Sequence, residues 1–382
     1  MNKRRIFNKI DKPLLFITLI CLIFGLMAVG SASSLKAYMS RQDSYYFLKR
    51  QLLFSLVGVF LGYVVIKIPI KKYKRAIYFA VLAIIGMLIY VLVNAEVVKG
   101  ITGWINFGAF NLQPSEFAKT VTILYLALSF EKLMKLKQVG MVRKFIPFLI
   151  PLVFMALIFK QPDFGTMLVV FGICVTVFIL VPYDRKSKFI ITIFSIVSIL
   201  IVVLAMVITG KGLTKNQLDR FNYKAPCTRY RQKTGYQVCN GYIAINSGGL
   251  LGNGFGNSKQ KFLYLPEAHT DFIFAIVIEE LGFVSGLVIL IAYFILIWRI
   301  ILIAKNSYNI QGMIICYGVA TYISLHIIIN LGGVLGLIPL TGIPLPFYTY
   351  GGSFMINLLV ALALVQRVCI ENKLFEQRNL VR

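Results

Sequence analysis

The sequence is short of acid. Its 14 Asp and Glu stand against 40 Lys and Arg, a formal charge of +26, and charged residues of both signs make up only 14% of the chain. Soluble domains carry about 25% charged residues, so a globular fold solvated by water is excluded. Histidine is scarcer still: only His269 and His326 occur, and no Cys or His spacing matches a zinc site. The excess basic residues are scattered over short segments between apolar runs instead of forming one patch, so no nucleic-acid partner is expected. The glycine-rich stretch SGGLLGNGFGNSKQK, with Gly248, Gly249, Gly252, Gly254 and Gly256, lacks the preceding strand and following acid of a dinucleotide fingerprint. Nucleotide binding is excluded with it. Next to Lys259 and Lys261, these glycines read either as backbone that approaches a phosphate closely or as a flexible turn.

What abounds is apolar. Of 382 residues, 58% are hydrophobic, and the mean hydropathy is +0.80. At about 20 residues per spanning helix, eight to ten crossings would consume roughly half the chain, which makes it an all-α polytopic membrane protein. Apolar runs fall near Pro13 to Ser33, Leu52 to Ile70, Ile77 to Ala95, Ser115 to Phe130 and Phe145 to Lys160. Five more lie near Phe164 to Pro182, Phe189 to Thr209, Asp271 to Ala304, Gln311 to Leu331 and Gly352 to Cys369. The first run has the basic leader and small residues of a cleavable signal peptide. Its length and the spans that follow make it an uncleaved first helix.

Basic clusters sit at Lys3 to Lys12, Lys71 to Arg75, Lys132 to Lys144, Arg185 to Lys188, Arg299 with Lys305, and the tail, after every second span. The positive-inside rule then places residues 1–12 and 370–382 in the cytoplasm. It places residues around 100–113, 161–163, 210–270 and 332–351 outside. Lys36, Arg41, Lys49 and Arg50, after the first span, run against this pattern. No internal repeat is found, and residues 1–382 read as a single membrane domain. The large outer segment, 210–270, is basic in its own right, which attraction to anionic lipid or to a phosphorylated substrate explains equally well. Cys227 and Cys239 both lie in it, and an oxidising exterior permits a disulfide between them.

A charge at mid-helix costs about 2.5–3.5 kcal/mol to insert, so each one inside a span is a functional candidate. The fourth span opens with QPSEFAK, which sets Glu116 and Lys119 three apart on one helix face. The eighth opens with HTDFIFAIVIEELG, with Asp271 in its first turn and Glu279 about 12 Å deeper at 1.5 Å per residue. The bland reading is an ion pair of Lys119 with Glu116 or Glu279, and Asp271 as a helix cap. His326 reads as a packed polar contact in the ninth span; His269, two residues before Asp271, has the better functional claim. From Asn306 to Gln366 there is no charged residue, yet LGGVLGLIPLTGIPLPFYTYGGS carries too many glycines and prolines for a regular helix. Irregular backbone cannot face lipid. It is expected to form a re-entrant outer loop that shapes a substrate cavity, against the alternative of interhelical packing.

These motifs resemble the SEDS family of bacterial cell-wall polymerases, the group of FtsW, RodA and SpoVE. The resemblance covers nearly the whole chain through GWINFG (Gly103 to Gly108), QPSEFAK (Gln113 to Lys119), QPDFGT (Gln161 to Thr166, with Asp163), YLPEAHTDFIFA (Tyr264 to Ala275, with Glu267), EELG (Glu279 to Gly282), and PLTGIPLPF with YGGS (Pro339 to Ser353, with Pro344 and Pro346). GNSKQKFLYLPEAHTDF is more similar to the division-type members than to the elongation type. The resemblance implies a peptidoglycan glycosyltransferase that polymerises lipid II onto a nascent glycan strand. It also implies a class B penicillin-binding protein and other division proteins as partners, in the bacterial cytoplasmic membrane at the septum. It carries the family's essential carboxylate onto Asp271, its polar pair onto Glu116 and Lys119, and its outer-loop tryptophan onto Trp104. Many members have a basic residue where this chain has Gly103, which puts a substrate charge contact there in doubt.

The α-linked donor ends β-linked, so an inverting displacement needs a base opposite the leaving group. Asp271 fits that role, with Lys119, Lys259 and Lys261, or a divalent cation such as Mg or Mn, offsetting charge on the pyrophosphate. The rival reading is a flippase or other transporter, which would hold its binding groups near the midplane. Glu279 and Glu280 are the residues that favour it.

Overall fold

The computed structural model describes residues 9–94, 103–108, 110–136, 140–190, 192–193, 224–230, 233–262 and 264–380. The α-helices among them are α1 (Lys12–Arg41), α2 (Tyr46–Lys67), α3 (Tyr73–Asn94), α4 (Pro114–Leu133), α5 (Met141–Lys160), α6 (Phe164–Leu180), α7 (Lys233–Gly248), α8 (Ile273–Lys305), α9 (Ile310–Val334) and α10 (Gly352–Leu380). A two-residue hairpin, β1 (Ile105–Asn106) against β2 (Asn111–Leu112), precedes α4. Six segments, α1, α2, Ile70–Asn94, α8, α9 and α10, are long and apolar enough to cross a membrane. Together with α4, α5 and α6 they form a polytopic helical membrane protein. The expected span at 189–209 lies almost wholly outside the described residues. Helix α7 falls inside the segment read from sequence as one large loop, which therefore contains a regular element of its own.

An apolar helix is either a lipid-facing span or a buried one, and burial separates the two here. The apolar window of α10 is 89% buried and that of α9 67%, against 22% for α2. Helices α9 and α10 are the centre; α1, α2, α3 and α8 turn large apolar side chains such as Phe60, Phe79 and Phe294 outward. One end of the bundle is held by ion pairs. Asp11 caps α1 through the Leu14 amide and pairs with Arg299. Arg367 pairs with Glu371 at 3.0 Å, and Glu371 accepts from the Ile70 amide. Past α6, hydrogen bonds from Lys144 and Ser187 hold the Asp184 carboxyl well below its ordinary range.

Helix α8 is broken at Gly282, where φ is 81° and ψ 172°. A break frees backbone groups that lipid cannot satisfy, and the glycine-rich stretch satisfies them. The amides of Asn253 and Gly254 donate to the Glu279 and Glu280 carbonyls at 3.0 and 2.9 Å. In the other direction, the Phe283 and Val284 amides donate to the carbonyls of Gly249 and Leu250 at 2.9 and 3.3 Å. A Cβ on Gly282 would lie 2.2 Å from the Leu250 oxygen, and one on Gly252 2.3 Å from that of Glu280. These glycines thus permit backbone to meet backbone, where the sequence suggested a flexible turn or a phosphate contact.

Candidate functional site

The segment before α8 carries the leading candidate. Helix α8 begins at Ile273 with Phe272 at its cap and no side-chain cap bond, so Asp271 stands ahead of the helix. The cap position itself is taken by Phe272, one residue after the carboxylate. Asp271 is half-buried, and its carbonyl accepts from Asn330 Nδ2 at 3.1 Å. Glu267 turns the chain with φ 58°. Its carboxylate accepts from Thr270 Oγ1 at 2.7 Å and lies 3.6 Å from Lys36 Nζ. His269 is buried, its ring packed on Phe47 at 5.0 Å and Tyr350 at 6.1 Å. These ring contacts pack it between α2 and the irregular loop.

A wall stands beside Asp271. Helix α9 runs through Gly332 and Gly333 to Val334, so the irregular part of the predicted 332–351 loop begins after it. Asn330 Nδ2 also donates to the Ile343 carbonyl at 2.8 Å, and Thr349 Oγ1 to that of Thr270 at 3.1 Å. The Tyr350 amide donates to the His269 carbonyl at 3.1 Å. Gln51 of α2 donates to the Thr349 carbonyl and accepts from the Gly351 amide. Gly342 takes φ 75°, and a Cβ there would sit 3.5 Å from Asp271 Oδ2. The Pro346 carbonyl accepts from the Tyr293 hydroxyl. The loop is stitched to the HTD segment on one side and to α9 on the other.

Behind the wall lies a buried charged chain. Lys119 Nζ is 2.8 Å from Glu116 Oε2 and 2.9 Å from His326 Nε2, while His326 Nδ1 is 2.9 Å from the Pro344 carbonyl. Lys119 has no exposed surface, and Glu116 is 2% exposed. The two QP motifs meet next to this pair, where Asp163 accepts from Gln113 Nε2 at 3.2 Å, from Ser115 Oγ at 3.3 Å and from the Thr166 amide at 3.1 Å. Gln161 donates to the Leu88 carbonyl. Ser353 of YGGS accepts from the Gln113 amide at 3.0 Å. Trp104 is half-buried beside β1.

A second buried chain links α8 to α1. Lys261 Nζ pairs with Glu280 Oε1 at 2.8 Å, and Ser31 Oγ donates to the same carboxylate at 2.7 Å. Glu279 accepts from Ser258 Oγ and from the amides of Lys259 and Gln260, and so holds the 258–260 turn. It does not pair with Lys119. Lys119 has no exposed surface and Lys261 is 8% exposed, each ammonium being paired with a carboxylate; Lys259 is exposed. Among the described residues, no group of three or more His, Cys, Asp or Glu converges to hold a metal. Cys227 and Cys239 form a disulfide with Cα atoms 4.9 Å apart.

The model of the FtsW, RodA and SpoVE cell cycle proteins matches residues 12–374. The chain belongs to that family. It is 37% identical to the stage V sporulation protein E of Bacillus subtilis, over 94% of this chain and 96% of that protein. It is 34% identical to the probable peptidoglycan glycosyltransferase FtsW of Wigglesworthia glossinidia brevipalpis, over 96% of each chain. Its fold is similar to a chain from a structure on the coordination of polymerization and crosslinking by a peptidoglycan synthase complex. There the TM-score is 0.74 at 24% identity, covering 95% of this chain and 98% of that one.

Within this FtsW, RodA and SpoVE chain, the structure joins residues that the sequence reading kept apart. His326 and Asn330 are four apart on α9, hence on one face, and both grip the loop beside Asp271. That spacing of two polar groups in an apolar helix was the available signal. Gln51 and Ser31 gave none beyond being polar within spans.

Proposed function

We propose that the protein is a peptidoglycan glycosyltransferase that polymerises lipid II at the outer face of the cytoplasmic membrane. Family membership supports the activity, and a relative that carries this name matches 96% of the chain. The single observation that carries the site is Asp271, half-exposed ahead of α8 beside an irregular loop. In the reaction the acceptor's 4-hydroxyl oxygen attacks the donor's anomeric carbon, whose bond to the pyrophosphate oxygen breaks. Asp271 takes the hydroxyl proton, a role worth roughly 10²–10⁴-fold in rate. The departing pyrophosphate keeps the bonding electrons. Lys36, Arg50 and Lys259 offset its charge: Lys36 lies by Glu267, Arg50 hydrogen-bonds Tyr350, and Lys259 is exposed. They take over the role that burial denies to Lys119 and Lys261, and they explain why basic residues sit against the charge rule after α1. A divalent cation such as Mg or Mn would be carried in by the pyrophosphate and would need only one or two protein carboxylates.

Both termini then lie in the cytoplasm, the partner is a class B penicillin-binding protein, and the place of action is the division septum. The purified full-length chain given lipid II is expected to yield glycan strands on a gel, and D271N to yield at least about 100-fold less with an unchanged melting temperature. Near-normal polymerisation by D271N would remove Asp271 from the role.

A further inference from the structure

The wall beside Asp271 hangs from three carbonyls, those of Ile343, Pro344 and Pro346, held by Asn330, His326 and Tyr293. The middle anchor differs from the other two because it is also bonded to a charge. A lysine ammonium has donors only, so the contact with Lys119 makes His326 Nε2 the acceptor. The ring proton is then on Nδ1, where it donates to Pro344. The imidazole is held in one tautomer by its two partners. Its plane is fixed by stacking on Phe354 at 4.8 Å and an edge contact with Tyr322 at 4.9 Å. Pro344 lies two residues from Gly342, whose left-handed backbone faces Asp271 Oδ2.

We infer that His326 is a positioning residue for the polymerisation: it transmits the fixed location of the buried Glu116–Lys119 pair to the loop that faces Asp271. This rests on the activity proposed above. Lys119 cannot shift without unpairing Glu116, and both side chains are buried away from bulk solvent, so the ammonium is a rigid post. His326 hangs the loop from that post. Without it the Pro344 carbonyl loses its donor, and the loop relaxes at the residues next to Asp271. A misplacement near 1 Å, remote from the bond being made, can cost about 100-fold in rate. Ground-state binding of the lipid donor, which does not touch the buried pair, is left in place.

The test compares H326Q and H326L in the full-length protein, with initial rates of strand formation measured against lipid II concentration and melting followed in the same detergent. Glutamine can accept from Lys119 and donate to Pro344; leucine can do neither. H326L is expected to lower kcat by roughly 10- to 100-fold with KM within about threefold, and H326Q to keep at least about half of the wild-type kcat. If H326L does not fold, H326F, which keeps the stacking on Phe354, takes its place. Wild-type kcat in the apolar variant overturns the inference, as does equal loss in H326Q at an unchanged melting temperature. So does a set in which every apolar variant unfolds while H326Q is fully active, since the bonds would then serve folding alone. A wild-type protein inactive on lipid II defeats the activity itself; an active wild type with an indifferent His326 defeats only this inference.

Discussion

A lysine with no exposed surface is the residue on which this protein's interior turns. Lys119 is tolerated because Glu116 at 2.8 Å and His326 at 2.9 Å replace the water it gave up. Breaking one half of such a pair leaves the other charge buried alone, at about 3–5 kcal/mol, while removing both charges together is far cheaper. E116Q is therefore expected to lower the melting temperature markedly, and E116Q/K119M to recover most of the loss; thermal unfolding in detergent checks both. The Lys261–Glu280 pair, also buried, predicts the same for K261M against K261M/E280Q. Asp271 behaves differently. It is half-exposed, so D271N is expected to silence polymerisation without moving the melting point. The i,i+3 pairing of Glu116 and Lys119 was legible in QPSEFAK. The pairing of Lys261 with Glu280 was not, because 19 residues of sequence separate them and a loop closes the distance.

Among elements, α8 shows how a helix can break inside an apolar span when another segment of the chain takes up backbone groups that the break frees. The glycine-rich stretch supplies two donors and two acceptors to the break at Gly282. Alanine at that position would meet the Leu250 carbonyl at 2.2 Å and would adopt a positive φ, a conformation that costs of order 1–3 kcal/mol before any clash. G282A is expected to destabilise the fold and to impair the site, because Glu279 and Glu280 just before the break hold the turn and the lysine of 258–261. V288A, at an exposed position further along the helix, is the control expected to leave both unchanged. Composition announced the irregular loop through its prolines and glycines. The break in α8 was hidden, since a single Gly282 in an apolar run reads as an ordinary helical residue.

For the whole molecule, the Cys227–Cys239 bridge closes a loop of about a dozen residues between a short turn and α7. The chain-entropy account gives such a loop about 3 kcal/mol. Reduction, or C227S/C239S, is expected to lower the melting temperature, with mass mapping of the non-reduced loop peptides finding the two cysteines joined. The spans, the clustering of basic residues at alternate turns, the candidate carboxylate and the resemblance to the family all followed from sequence, because hydrophobic length and charge placement are local properties of the chain. Which lysines are free, what holds the Asp271 wall, and what the glycines do were decided only by the folded arrangement. Burial and partner choice depend on residues hundreds of positions apart that meet across the bundle, and a linear pattern carries the need for a partner without saying which group will satisfy it.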